Sequence, residues 1–545
     1  MGRARAKKGG WRGAAAILLI AIAAAAPIAA VLAGAGSGGG PTLFVSDLGL
    51  RYLTTTLLLC GLAGAGAGII GAGASLLVSL ADFPGRKTLA IALALPFAIP
   101  AYVAAYAYGD LFGPFGPVAE TIGIAALPEI RSLPGAAFVL MLTTYPYIYL
   151  AMRASLASRS GAIMEAARSL GASPMRASLG LLLTASRPAF FGGLALALME
   201  IAADYGVADF FGVQTLSVGI FRTWHGLGDL HGAMQLAAGL FLVALILVLM
   251  ESASRKGRAS EDARAQRKAR RIRLSPAHGA LAFLLCLLPV LFGFVAPAAL
   301  LLSKFEPEMN AIAMRNLMQA GANTALIAAA GAAIAVFLSL LLAYSARAAR
   351  GRIIKLALRA ATLGYAVPGA VMAIGVLALS ASIARVSGYA LAGGVLILLY
   401  AYVARFLTAG YNAAAGGLAQ ISPQMDGAAR TLGAAPGRIV RDLHWPMARL
   451  SLLAGAAIVA IDITKELPAT LILRPFNFET LSTQIYRLAS DERLADAAPA
   501  ALILIALGLL PSIALSVIAD SEHKKTRKQK PLAGPEPNLT GVTNV

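Results

Sequence analysis

The chain has 545 residues, 58% of them hydrophobic and only 13% charged, with a formal net charge of +20 and a mean hydropathy of +0.75. A soluble protein of this length needs far more charge to clothe its surface, so that class is excluded. Apolar runs of about 20 residues recur along the whole chain, each long enough to cross a bilayer as a helix.

In chain order, about twelve spans are predicted, at roughly 14–33, 54–80, 88–108, 134–152, 189–210, 232–250, 279–302, 318–345, 354–379, 389–409, 450–472 and 497–519. The first follows Arg3, Arg5, Lys7, Lys8 and Arg12 and is shaped like a signal peptide, but it is long enough to be a retained anchor, and that reading is preferred. Pro96, Pro100 and Pro368 fall inside spans, where they break or kink helices. Most of the 46 Lys and Arg residues lie in the segments on the side of the N-terminus. This asymmetry places both termini in the cytoplasm, and it makes the net charge a topology signal, not a sign of nucleic acid. The densest patch, Arg255 to Arg273, reads as a solvated linker, with anionic lipid contact as the second reading. The chain thus divides into a first half at 1–250 (spans 1–6), a basic cytoplasmic linker at 251–276, a second half at 277–520 (spans 7–12) and a polar cytoplasmic tail at 521–545.

Little here suggests catalysis. Cys60 and Cys286 lie in apolar runs and read as packing residues, not a disulfide. The five histidines show no metal-ligand spacing. No GxxxxGK[ST] loop, H-E-x-x-H or G-x-S-x-G motif occurs, so the chain has no ordinary cradle for ATP and no hydrolase signature.

The two halves repeat one another. Residues 165–176 read EAARSLGASPMR and residues 427–438 read GAARTLGAAPGR, aligned without a gap. Ala167, Arg168, Leu170, Gly171, Ala172, Pro174 and Arg176 each meet an identical residue. Both stretches fall in predicted cytoplasmic loops, about 160–176 and 421–438, between the fourth and fifth spans of their halves. Two departures break the symmetry. Glu165 meets Gly427, although Asp426 sits beside it, and Thr184 meets Pro446.

The same register continues into the next span. Glu200 falls opposite Asp462 and Asp204 opposite Glu466, within MEIAADYG and IDITKELP. Each pair is spaced i, i+4 and shares one helix face. A charge at the bilayer centre costs about 2.5–3.5 kcal/mol on insertion scales, so these acids are candidates for a pathway that a hard cation would follow. The alternative is that they anchor helix ends or pair with Lys465 and Arg474. Further on, Thr215-Leu216-Ser217 with Arg222 repeats as Thr480-Leu481-Ser482 with Arg487, in predicted outer loops. Arg222 and Arg487 there either meet acids on a docking protein or form local ion pairs.

The E-A-A-x-x-x-G stretch in the penultimate cytoplasmic loop of a half resembles the EAA motif of permeases from ATP-binding-cassette importers. The runs from Ala197 to Trp224 and from Lys465 to Ala498 are similar to ferric-iron importer permeases of the Fbp/Sfu/Hit type, and the likeness extends over nearly all of the chain. The resemblance implies an all-α polytopic membrane protein, two pseudo-symmetric six-helix halves in the type I importer permease fold. It implies that Glu165, Ala166, Ala167 and Gly171, with Asp426, Ala428, Ala429 and Gly433, form coupling helices that dock on a separate cytoplasmic ATPase homodimer. It further implies a periplasmic or lipid-anchored iron-binding protein and Fe³⁺ as the transported substrate. No permanently bound cofactor and no ATPase site on this chain are implied, and the expected home is the bacterial inner membrane. Fused permeases for thiamine, polyamine or sulfate, and an ion-coupled secondary transporter, are the competing readings.

Overall fold

Prolines and carboxylates decide where several helices stop, more than hydropathy does. The computed structural model describes residues 2–509 and 513, apart from 38–42, 115, 124–128, 172–179, 181–185, 256–270, 307, 349–350 and 389–393. Most of the predicted basic linker, and the predicted tail, therefore lie outside the described residues.

The first half runs α1 (Gly2–Ala35), α2 (Asp47–Leu80), α3 (Arg86–Ala92), α4 (Ala101–Leu111), α5 (Leu133–Ser169), α6 (Arg187–Ala203), α7 (Gly206–Phe210), α8 (Leu216–Phe221) and α9 (Leu230–Arg255). The second half follows the same plan. It starts with α10 (Pro276–Val290), which continues through a π-turn into α11 (Ala296–Ser303). Next come α12 (Ala311–Ala348), α13 (Arg352–Ala361), α14 (Gly369–Ser387), α15 (Val395–Ala419), α16 (Pro423–Thr431), α17 (Trp445–Lys465), α18 (Pro468–Leu473) and α19 (Leu481–Ser490). An apolar helix, α20 (Leu494–Leu509), is the last described. The protein is thus an all-α polytopic membrane protein. The exception is a two-residue parallel bridge, β1 (Ala81–Asp82) on β2 (Ile272–Arg273), which ties the loop after α2 to the end of the linker.

Nine of the described helices are long and apolar enough to cross a membrane, and the segments Arg86–Ala98 and Ala101–Leu111, bent by 90°, make a tenth. The remaining two of the predicted spans are not among these ten. The span at 189–210 ends early because α6 stops after 17 residues, at Ala203. The span at 497–519 is α20, whose far end lies outside the described residues. Two more predicted spans, 354–379 and 450–472, are each two helices meeting at a break.

Packing relies on small residues that let helix backbones approach. Helix α5 is gripped between α2 and α6 in this way. A Cβ on Gly71 would sit 2.8 Å from Ile148 Cβ and 2.9 Å from the Tyr145 carbonyl, and one on Gly193 would sit 2.7 Å from Ile148 Cα. The leading helices are exchanged between the halves. Helix α1 packs on α12, α13 and α14 of the second half as well as on α9 of its own, whereas α10 and α11 pack on α2, α3 and α4. Polar bonds stitch the exchange. Tyr400 Oη donates to the Ala23 carbonyl at 2.6 Å, Tyr108 Oη donates to the Phe292 carbonyl, and Lys304 pairs with Asp110 at 3.0 Å.

Candidate functional site

A helix that restarts inside a membrane leaves the first backbone N–H groups of its new turn without an intrahelical partner or water to satisfy them. Here carboxylates satisfy them, at equivalent places in the two halves. Asp204 ends α6 with φ −65° and ψ 129°. Its Oδ1 accepts from Val207 N at 2.9 Å and Ala208 N at 3.3 Å, opening α7. Glu466 ends α17 with φ −68° and ψ 123°, and its Oε2 accepts from Ala469 N at 3.0 Å and Thr470 N at 3.4 Å, opening α18. A second matched pair of breaks faces them. Pro100 precedes α4 at φ −57° and ψ 137°, and Pro368 precedes α14 at φ −54° and ψ 143°.

Where these breaks meet, the halves enclose a cavity of about 160 Å³ whose lining includes Glu200, Asp204, Asp462 and Glu466. All four acids singled out from the sequence are therefore brought to one place. Lys465 and Arg405 line the same cavity, so four carboxylates face two cations. Their situations differ. Glu466 is tied to Arg405 Nη1 in an ion pair, with the two side chains 2% and 14% exposed. A Cβ on Gly369 would collide with Glu466 Oε1 and lie 2.6 Å from Arg405 Nη1, so the pair in this geometry uses the space left by the missing side chain at residue 369. In the repeat register Thr143 takes the place of Arg405, and among the described residues Asp204 has no cationic partner. Lys465 Nζ donates to the Phe97 carbonyl at 2.9 Å and stands 5.4 Å from the Phe97 ring. One oxygen of Asp462 is buried without a hydrogen-bond partner, and Glu200 is exposed on the seam between the halves. Among the described residues no three His, Cys, Asp or Glu side chains converge to hold a metal ion. The acids are spread around a wall, not gathered into a preformed chelate.

The two EAA segments turn in the same way. Helix α5 carries Glu165, Ala166 and Ala167 in its last turns, and Gly171 follows with φ +78°. Residues 172–179, which include Pro174 and Arg176, lie outside the described residues, as does Thr184. In the second half Ser422 caps α16 by accepting from Met425 N, and Gly433 follows with φ +79°. A positive φ at both turns is the conformation glycine tolerates best. Leu170 and Leu432, one residue before each glycine, are 86% and 87% exposed. Ala428 is exposed and Ala429 half-buried. Asp426 is turned inward. It accepts from Arg347 Nη2 at 3.2 Å and lies 2.7 Å from His444 Nε2. Arg347 also donates to the Leu418 and Ile421 carbonyls, at 2.6 and 3.1 Å. Burial pushes the Asp426 carboxyl up, but the His444 hydrogen bond and the charges of His444 and Arg347 outweigh it and hold it below the usual value.

On the opposite face Arg487 is engaged locally, with Nε 2.9 Å from Glu479. Arg474 pairs with the same Glu479 at 3.6 Å, not with the cavity acids. Arg222 is exposed at the start of a π-turn.

Sequence reasoning missed Arg405, Gly369 and the inward role of Asp426. The signal for Arg405 is present, since it is a lone cation inside the predicted span 389–409. The exposed leucines were visible only as identical residues of the repeat.

No protein-family model matches the chain. It is 24% identical over 477 residues to the Fe(3+)-transport system permease protein FbpB 2 of Haemophilus influenzae, covering 86% of this chain and 90% of that protein. Shorter matches join it to the sulfate transport system permease protein CysT of Escherichia coli, 26% identical over 28% of this chain and 56% of that protein. Another is the 2-aminoethylphosphonate transport system permease protein PhnU of Salmonella choleraesuis, 24% identical over 30% of this chain and 59% of that protein. Fold, internal repeat and these likenesses make the chain a polytopic membrane permease of the ATP-binding-cassette transport type, with two permease halves fused in one polypeptide.

Proposed function

We propose that the chain is the permease of an importer that carries ferric iron across the bacterial inner membrane, with both termini cytoplasmic. A periplasmic or lipid-anchored binding protein delivers the ion, and a separate cytoplasmic ATPase homodimer drives the cycle. The observation that carries this reading is the cavity between the halves that Glu200, Asp204, Asp462 and Glu466 wall together. The Arg405–Glu466 pair cancels itself, which leaves three carboxylates against Lys465 and a wall that favours a hard cation. An anion is disfavoured there, although relatives named for sulfate and 2-aminoethylphosphonate match parts of the chain. Carboxylates dispersed around the wall hold an ion weakly, as a route must if the ion is to leave.

The ATPase contacts are assigned to the two EAA turns. Leu170 and Leu432 are apolar knobs beside Glu165, Ala166, Ala167 and Gly171 on one side and Ala428, Ala429 and Gly433 on the other. Asp426 supports the second turn from within and does not meet the ATPase. Arg222 is the better placed of the two outer arginines to meet the binding protein, since Glu479 already occupies Arg487. Closure of the ATPase dimer draws the EAA turns together, the halves rock about the cavity, and access alternates.

The test is uptake by proteoliposomes that hold the chain with its ATPase and binding protein. ATP-dependent entry of radioactive iron, unaffected by excess sulfate, is expected. Entry of sulfate instead, or iron entry driven by an ion gradient without ATP, contradicts the reading.

A further inference from the structure

Beyond the cavity, on the side away from the EAA turns, lies a second set of oxygen donors. Helix α6 leads away from the EAA segment and breaks at Asp204, so Tyr205 and α7 stand beyond the acids. Tyr205 is 2% exposed and lines the cavity. Its hydroxyl lies 2.9 Å from the hydroxyl of Tyr486, which donates to Asp209 Oδ2 at 2.8 Å. Because Tyr486 uses its proton on Asp209, Tyr205 is the donor to Tyr486. The chain Tyr205 to Tyr486 to Asp209 crosses between the halves, since Tyr486 belongs to the second and the other two to the first. Tyr106 and Tyr102 stand alongside on α4. They are 1% and 5% exposed, their rings are 5.9 Å apart, and the Tyr106 hydroxyl is buried without a hydrogen-bond partner. Nothing about aromatic packing alone requires four phenols at one seam, since phenylalanine fills the same space without burying a polar group.

We propose that Tyr205, Tyr486 and Asp209 form a transfer site for a hard trivalent cation, which binds Fe³⁺ through two phenolate oxygens and a carboxylate on its way into the cavity. The proposal rests on the iron reading above. Phenolate and carboxylate oxygens are hard donors that suit a small, highly charged ion. Each phenol gives up its proton as its oxygen bonds to iron, and both protons pass to solvent. Asp209, already the acceptor of the Tyr486 proton, is the first base on that route. When the ion moves on to the cavity acids the phenols regain their protons. The hydrogen-bonded chain then closes the seam again, so occupancy and closure exclude one another.

The experiment titrates the purified full chain with ferric nitrilotriacetate and follows the visible absorption that arises when a phenolate donates charge to iron(III). The same preparation, reconstituted with its ATPase and binding protein, is assayed for iron uptake. The wild type is expected to develop the band to saturation. The variant Tyr205→Phe/Tyr486→Phe keeps both rings and is expected to lose the band and to slow uptake by about tenfold or more. Replacing Glu200 and Asp462 by Gln and Asn should slow uptake while the band persists. ATP-driven iron uptake by a wild type that shows no band overturns the transfer site and leaves the iron reading standing. A wild type that shows neither uptake nor band overturns both. If the double variant fails to fold, the single variant Tyr486→Phe, expected to weaken the band, takes its place, and an unchanged band in it overturns the site.

Discussion

The most consequential single residue is Arg405. Without it Glu466, 2% exposed at its side chain, would be a buried carboxyl without its ion-pair partner beside a helix break. Arg405→Met is therefore expected to destabilise the protein by about 3–5 kcal/mol, the cost of an unpaired buried charge. Adding Glu466→Gln should recover most of that loss, because the amide oxygen still accepts from Ala469 and Thr470 N; thermal unfolding in detergent would show both effects. No recovery in the double variant would mean that the ion pair is not the cause. Asp426 gives a pH test. A carboxyl held below its ordinary value of 3.8 stabilises the fold above that value and loses the contribution as pH falls through its folded value. The second EAA turn should lose protection from proteolysis on acidification below about pH 4, and Asp426→Asn should remove that dependence. Sequence register brought the four acids together, but could not show that Glu466 is consumed by Arg405 and that Asp426 faces inward. Both facts depend on which side chain from a distant helix arrives at each acid.

At the scale of elements, the EAA turns were the most legible feature. The glycines of the two matching stretches, Gly171 and Gly433, take the same left-handed conformation, at φ +78° and +79°. A Cβ at either position would meet open space within the chain, so the internal cost of Gly171→Val or Gly433→Val is the backbone's, about 1–2 kcal/mol for a left-handed residue. Each should leave the membrane core folded while lowering transport per ATP hydrolysed, and Leu170→Asp/Leu432→Asp should weaken ATPase binding with no change in melting temperature. Unchanged ATPase binding in the leucine variant would remove the docking assignment. The helix breaks were less legible. Pro100 and Pro368 signalled theirs, but Asp204 and Glu466 end helices inside runs that hydropathy reads as continuous. A carboxylate can cap the following turn from within such a run, and an apolar window cannot register that.

For the whole molecule, the repeat sets one helix before each carboxylate break. α6 and α17, of 17 and 21 residues, span about 25 and 30 Å and end at Asp204 and Glu466. Under the proposed mechanism, force applied at the second EAA turn is expected to reach Glu466 along α17; in the first half, residues 172–179 and 181–185 before α6 lie outside the described residues. The exchange of α1 and α10 between the halves was invisible to a reading by contiguous segments, because each helix packs on helices of the other half that are distant in sequence. That exchange ties the two halves together.

The measurement that bears most directly on this account is ATP-dependent iron uptake by the variant Glu200→Gln/Asp204→Asn/Asp462→Asn. The amides keep the shape of the wall, and the amide oxygen introduced at position 204 can still cap α7, so folding and ATP hydrolysis should persist. The account predicts that iron passage is lost. Normal iron flux through this variant would contradict it, and would reduce the acids to anchors for broken helices.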